Sequence, residues 1–294
     1  MSNLSYMQKA TDRGQLQIHV TTERGFFPIK DASIRLSYTG NPTEIIEELS
    51  TDISGQTAAV ELPAPPLEYS MEPSEFQPYS EYTIQVNASG YRPINISGIS
   101  VLPDKTSIQN VRMETATVEN PLERNIVITA NTLYGNFPPK IPEDEIKPMN
   151  ESGEIVLSRV VIPEYVIVHD GPPSDSSAND YYVRYRDYIK NVASSEIYAT
   201  WPDAALRANI LAIMSFTLNR VYTEWYRNKG YDFTITSSTA FDHKFVYGRN
   251  IFSNISNIVD EMFNSYLSRP NVRQPILTQY LSLIHISEPT RRSY

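Results

Sequence analysis

The chain has 294 residues, 40% of them hydrophobic and 20% charged, with a formal net charge of −9. That balance describes a folded globular protein with room for two ordinary domains, and the acidic surplus argues against gripping a nucleic-acid backbone. There is no cysteine, which excludes disulfides, thiolate zinc sites and cysteine nucleophiles.

Residues 1–13 lack the apolar core of a secretory signal and are expected to be disordered, leaving the export route open. From residue 14 the pattern is β. "GQLQIHV" (14–20), "DASIRLSY" (31–38), "EYTIQVNASGY" (81–91) and "SIQNVRME" (107–114) alternate polar and apolar residues. The stretches "DISGQT", "LPAPP", "ASGYRP" and "LPDKT" supply turns between them. Over residues 14–115 this predicts an antiparallel β-sandwich of about seven strands. Residues 116–160 are rich in Pro and Glu, as in "NFPPKIPEDEIKPMNESGE", and are expected to form a linker. A strand, "EYVIVHDG", and a polar loop, "PPSDSSAND", follow.

The pattern then turns helical. "YRDYIKNVASSEIY" sets Tyr185, Ile189, Val192 and Glu196 on one face. The stretch "TWPDAALRANILAIMSFTLNRVYTEWYRNKG" predicts one long helix, with Pro202 in its first turn and Gly230 as its stop. Its expected buried stripe is Leu206, Ile210, Met214, Leu218, Val221 and Trp225. A third helix is predicted over "NIFSNISNIVDEMFNSYL", with Asn250 as N-cap and Phe252, Ile255, Val259, Met262, Phe263 and Tyr266 on its apolar side. The fold class expected is therefore α+β in two domains, the second (161–280) being the mainly helical part of an α+β domain. No apolar run reaches the roughly 18 residues of a membrane span.

A carboxylate on an apolar stripe is costly to bury ionised, so Glu196 stands out as a proton donor for glycosidic cleavage. The same residue could instead be a helix-end glutamate satisfied by backbone amides, or one paired with Lys190 or Arg186. His169 at a strand end reads as a packed or capping histidine. Asp242 and His243 are neighbours whose side chains point apart, and Glu224 is expected to be solvated on a helix surface. His19, His169, His243 and His285 lack metal-ligand spacing, so neither metal nor cofactor is expected.

Two family resemblances add to this. "PIKDASIRL", "TDISGQT" and "YTIQVNASGYRP" resemble the carboxypeptidase-regulatory-like, transthyretin-type sandwich modules, which implies a spacer or adhesive unit. Tyr188-Ile189, Val192, Glu196, Trp201-Pro202 and Ala205-Leu206-Arg207-Ala208 resemble the signature of the stage II sporulation protein D and amidase-enhancer family. That resemblance covers about residues 160–280 and implies cleavage of peptidoglycan glycan strands by a lytic transglycosylase. Glu196 would be the acid and base, with Ser195, Tyr198 and Trp201 against the substrate. The runner-up is a non-catalytic relative that binds the wall or stimulates an amidase; a structural protein of the spore surface would suit the sandwich module and the tyrosines. The partners would be glycan strands, with a wall amidase or other sporulation proteins, at the cell envelope or spore surface. Where some members have cysteines and a histidine, "YDFTITSSTAF" offers Ser and Thr, so no metal is implied.

The tail departs from all of this. Residues 281–291, "LSLIHISEPTR", resemble the in-frame translation of a sequencing-library adaptor, and the tail at 281–294 is expected to be artefactual. The family domain would then be cut after Tyr280, before its glycine-rich second half.

Overall fold

The computed structural model describes residues 12–73, 75–117, 122–130, 133, 138–146 and 159–279. Of the residues 1–13 expected to be disordered, 1–11 lie outside the described residues, whereas Asp12 and Arg13 are strand; the tail expected to be artefactual and much of the expected linker also lie outside. The chain divides into two compact units. One holds residues up to 130 with 198–201 and 247–254, and the other holds 131–197, 202–246 and 255 onward.

The first unit is built on two sheets. Its described strands are β1 (Asp12–Thr22), β2 (Ser33–Tyr38), β3 (Asn41–Ser50), β4 (Val60–Ala64), β5 (Ser80–Asn87), β6 (Ile94–Val101), β7 (Thr106–Met113) and β8 (Arg124–Val127), joined by a short helix, α1 (Glu68–Met71). One sheet runs β3-β2-β5-β6-β8. The other is β7-β1-β4, extended at the β7 edge by Ile251–Phe252 from far along the chain (β12). Pairing is antiparallel except for β1 with β7 and β6 with β8.

Alternation carries the core, as the sequence predicts. Leu16, Ile18 and Val20 on β1 are wholly buried, and so are Ile34 and Leu36 on β2 and Tyr82, Ile84 and Val86 on β5. β3 has no counterpart in the predicted strands. It is an outer strand, exposed along nearly its whole length, and carries Pro42, Glu44, Glu47 and Glu48. Charge and proline on an outer strand discourage further pairing; the same residues remove the alternation by which strands are recognised.

Gly98 marks a defect in the β5–β6 ladder, where the register shifts between Tyr82 and Ile84. Its φ is +85°, and a Cβ there would lie 2.4 Å from the Ile128 carbonyl oxygen, so only glycine fits.

The second unit is the α+β part. Its sheet runs β10 (Asp180–Arg184), β9 (Tyr165–His169), β11 (Ile235–Thr236), with β9 and β11 parallel. To the same unit belong α2 (Tyr185–Glu196), α3 (Asp203–Tyr222) and α4 (Ser253–Met262) from Ile255 onward, with a hairpin of β13 (Ser268–Arg269) and β14 (Val272–Pro275). On α2 the expected face holds: Tyr185, Ile189, Val192 and Glu196 are all buried.

Two helices differ from expectation. α3 is buried on every side between Ala212 and Arg220, where a single stripe is predicted. It also stops at Tyr222, followed by Glu224 at φ +45°. Gly230, left-handed at φ 85°, ends a separate 3-10 turn, Arg227–Lys229. Glu224 thus lies beyond the helix rather than on its surface. The third helix is shorter than predicted, because Ile251 and Phe252 are recruited as strand. Asn250 is no N-cap: its carboxamide accepts from the Ser100 N–H and donates to the Ser100 carbonyl, both at 3.0 Å. Two backbone-matched bonds in a buried place outweigh one cap bond.

Candidate functional site

Glu196 is the last residue of α2, and the chain turns extended at Ile197. The helix dipole opposes a negative charge at this end, and no basic residue occupies the last turn. The residue as a whole is 3% exposed. It is held from elsewhere: the Lys244 backbone N–H donates to Glu196 Oε1 at 2.7 Å. The amide alternative raised by the sequence therefore applies, with an amide 48 residues away rather than one from the helix. The ion-pair alternative does not. Lys190 and Arg186 instead meet Asp260, at 2.6 and 3.5 Å.

The turn at Asp242, His243 and Lys244 organises the surroundings of Glu196, with each residue serving a different partner. Asp242 is fully buried and accepts four bonds: Arg220 Nε at 2.6 Å, the Tyr226 hydroxyl at 2.6 Å, and the Thr236 N–H and hydroxyl at 2.9 and 2.7 Å. Its carbonyl oxygen accepts from Lys140 Nζ. His243 faces the Tyr188 hydroxyl, Nδ1 to oxygen 3.1 Å, and packs 4.5 Å from the Phe216 ring. The two side chains do point apart, yet both are buried in the same network.

Charge is compensated locally. Arg220, without exposed surface, sits between Asp242 and Glu143, with Nη1 donating to Glu143 Oε2 at 2.7 Å and Nη2 to the other oxygen. Burial opposes its charge, but the two carboxylates more than offset this and raise its pKa. Burial holds the His243 pKa well below its ordinary value, and repulsion from Lys140 and Arg220 adds to that. The Lys140 pKa is lowered by burial against the attraction of Glu196 and Asp242. Burial, then the charges of Asp242 and Glu196, raise the Tyr188 phenol well above its usual range.

Sequence reasoning does not find Lys140 and Glu143, which lie in the stretch expected to be linker. Their signal is no more than two charges in a Pro-rich run, with nothing to say that they turn inward.

The remaining site candidates are placed as follows. Ser195 is fully buried beside Glu196 in α2. Tyr198 and Trp201 fall in the first unit. Tyr198 is buried, and the Trp201 indole N–H donates to the Ser70 carbonyl at 2.9 Å. Their rings meet edge-on at 6.1 Å. An open groove of the second unit is lined by Glu164, Arg184, Tyr185, Arg186, Lys190 and Phe263, and Glu196 is not among its walls. His169 is a packed histidine, 2.8 Å from Asp180 and stacked 4.4 Å from Phe233. Among the described residues no cluster of His, Asp and Glu could hold a metal ion.

The helix pair α2–α3, the Trp201-Pro202 step and the turn that receives Glu196 fall within one span that a known family describes. Residues 178–261 match the stage II sporulation protein family. This matched region includes Glu196 and the Asp242–Lys244 turn; Lys140 and Glu143 precede it.

No protein of curated function matches the chain. Three solved structures resemble parts of it. The Bacillus anthracis TIE protein aligns at 17% identity and TM-score 0.25, over 36% of this chain and 17% of its own. The minor pilin GBS52 of Streptococcus agalactiae aligns at 13% identity and TM-score 0.26, over 36% and 46%. The Klebsiella pneumoniae 5-hydroxyisourate hydrolase aligns at 16% identity and TM-score 0.23, over 34% and 86%. The chain thus spans less than half the length of the first two.

Proposed function

We propose that the matched region serves a sporulation-related function in the cell wall, and that it cleaves peptidoglycan glycan strands as a lytic transglycosylase. The family match supports the coarser part of this reading. The finer part rests on one observation: the glutamate at the family's motif position is buried at an unfavourable helix end and held by a distant amide.

Such a carboxyl can act twice. Protonated, Glu196 gives its proton to the glycosidic oxygen as the bond to the sugar breaks. The sugar's own hydroxyl then closes an anhydro ring, and the Glu196 carboxylate takes the proton released. One carboxyl suffices because no external water has to be activated. Ser195, Tyr198 and Trp201 are proposed to line the glycan, and no metal or cofactor takes part. The partner would be peptidoglycan at the cell envelope or spore surface.

The open groove of the second unit, whose walls do not include Glu196, favours a second reading, in which the region binds glycan or stimulates a wall amidase without cutting. Purified, peptide-stripped glycan strands separate the two. Under the first reading wild type releases anhydro-ended products and Glu196→Gln does not. Equal product from both proteins would remove Glu196 from the chemistry. Glycan retention without product, together with a faster amidase, would establish the second.

A further inference from the structure

The geometry points to Lys140 as a positioning residue for Glu196: its ammonium, docked on the turn that holds Glu196, favours the ionised carboxyl. This inference rests on the reading of Glu196 as acid and base.

Lys140 lies outside the matched region, yet the chain delivers it to the site. The Ile141 N–H donates to the Ala240 carbonyl at 2.9 Å, pinning this segment just ahead of the turn. Lys140 Nζ then donates to the Asp242 carbonyl and lies 5.2 Å from the Phe216 ring centroid. Two residues further along the same turn, the Lys244 amide donates to Glu196. A single short turn therefore carries the anchor of the cation and the anchor of the carboxyl. Any shift of the turn moves both together.

Around Lys140 and Glu196 stand Tyr188 from α2, Asp242, His243 and Lys244 on the turn, Arg220 on α3, and Glu143 beside Lys140. The Arg220 charge is taken up by Asp242 and Glu143. Burial keeps His243 neutral and Tyr188 protonated. Glu196 is the first of the charges attracting Lys140, ahead of Asp242. When Glu196 passes its proton to a leaving oxygen, the new charge appears in a buried place, and the ammonium compensates it there. The carboxylate is then stable long enough to act as base.

The test uses the full chain. The Glu196 carboxyl is titrated by infrared difference spectroscopy, wild type against Glu196→Gln, and the titration is repeated with Lys140 replaced. Lys140→Gln keeps a donor for the Asp242 carbonyl and loses only the charge. Its Glu196 midpoint should rise by about one pH unit or more, the scale of losing a close opposite charge. Lys140→Met should rise likewise, and Lys140→Arg should stay near wild type. An unmoved midpoint in folded Lys140→Gln overturns the inference, and so does an equal rise in Lys140→Arg.

This readout needs no turnover. A moved midpoint without glycan product refutes the enzymatic reading and leaves the Lys140–Glu196 coupling standing. Product with an unmoved midpoint does the reverse.

Discussion

Replacing Arg220 by methionine tests whether the buried charge network holds the second unit together. The substitution keeps volume within α3 and removes every bond of the guanidinium. Asp242 Oδ1 loses its partner at 2.6 Å, and Glu143 loses the two bonds that Arg220 supplies. Asp242 is fully buried and the Glu143 side chain is 7% exposed, so neither can be rescued by bulk water. Breaking a buried pair by removing one partner costs about 3–5 kcal/mol. For a unit of this size that is a fall in Tm of roughly 6–20 °C. Calorimetry measures it, and hydrogen exchange at the α3 amides assigns the transition to this unit. A second substitution sharpens the reasoning. In Arg220→Met/Asp242→Leu one stranded carboxylate is gone, so the double variant should be less damaged than the sum of the single changes. A loss below about 1 kcal/mol for Arg220→Met, or strict additivity of the pair, would refute the claim that stranded charge sets the cost.

Two further outcomes follow from burial. His243 is held neutral with a pKa well below its ordinary 6.5, so the unfolded chain binds the extra proton first as pH falls. Its stabilisation is fully present above pH 6.5 and is lost below it, with a slope of up to about 1.4 kcal/mol per pH unit. Urea unfolding at pH 7.5 and pH 5 should show this loss in wild type and less of it in His243→Gln; equal losses would exonerate the histidine. In the first unit, Gly90 and Gly98 share nearly the same φ, +82° and +85°, but only Gly98 has a carbonyl within reach of a Cβ. Gly90→Ala should therefore cost about 1 kcal/mol of backbone strain, and Gly98→Ala about 1–3 kcal/mol more from the clash. Equal costs in denaturant titrations would mean that the ladder defect yields freely.

Much of the fold is legible in the sequence because it depends on periodicity. Leu16, Ile18 and Val20 declare a strand, and Tyr185, Ile189, Val192 and Glu196 declare a helix face, whatever they pack against. The elements missed are those where neighbours override the local pattern. β3 hides behind its glutamates. Residues 251–252 sit in a helical pattern but are drawn into the β7 edge. Asn250 would make a good cap, but a buried backbone pair claims it. The site divides the same way. Glu196 is conspicuous as a carboxylate on an apolar stripe, whereas Lys140 and Glu143 are ordinary charges in a proline-rich run.

By itself, then, the sequence determined the two-part α+β plan, the buried face of α2 and the candidacy of Glu196, since each follows from residues two to four positions apart. Only the tertiary structure decided what surrounds that glutamate. The Lys244 amide that holds it, and the Lys140 ammonium and Arg220–Asp242–Glu143 network anchored on the same turn, come from 140–143, 220 and 242–244. A buried charge takes its partner from whatever the folded chain brings within reach, and spacing along the sequence does not encode that choice.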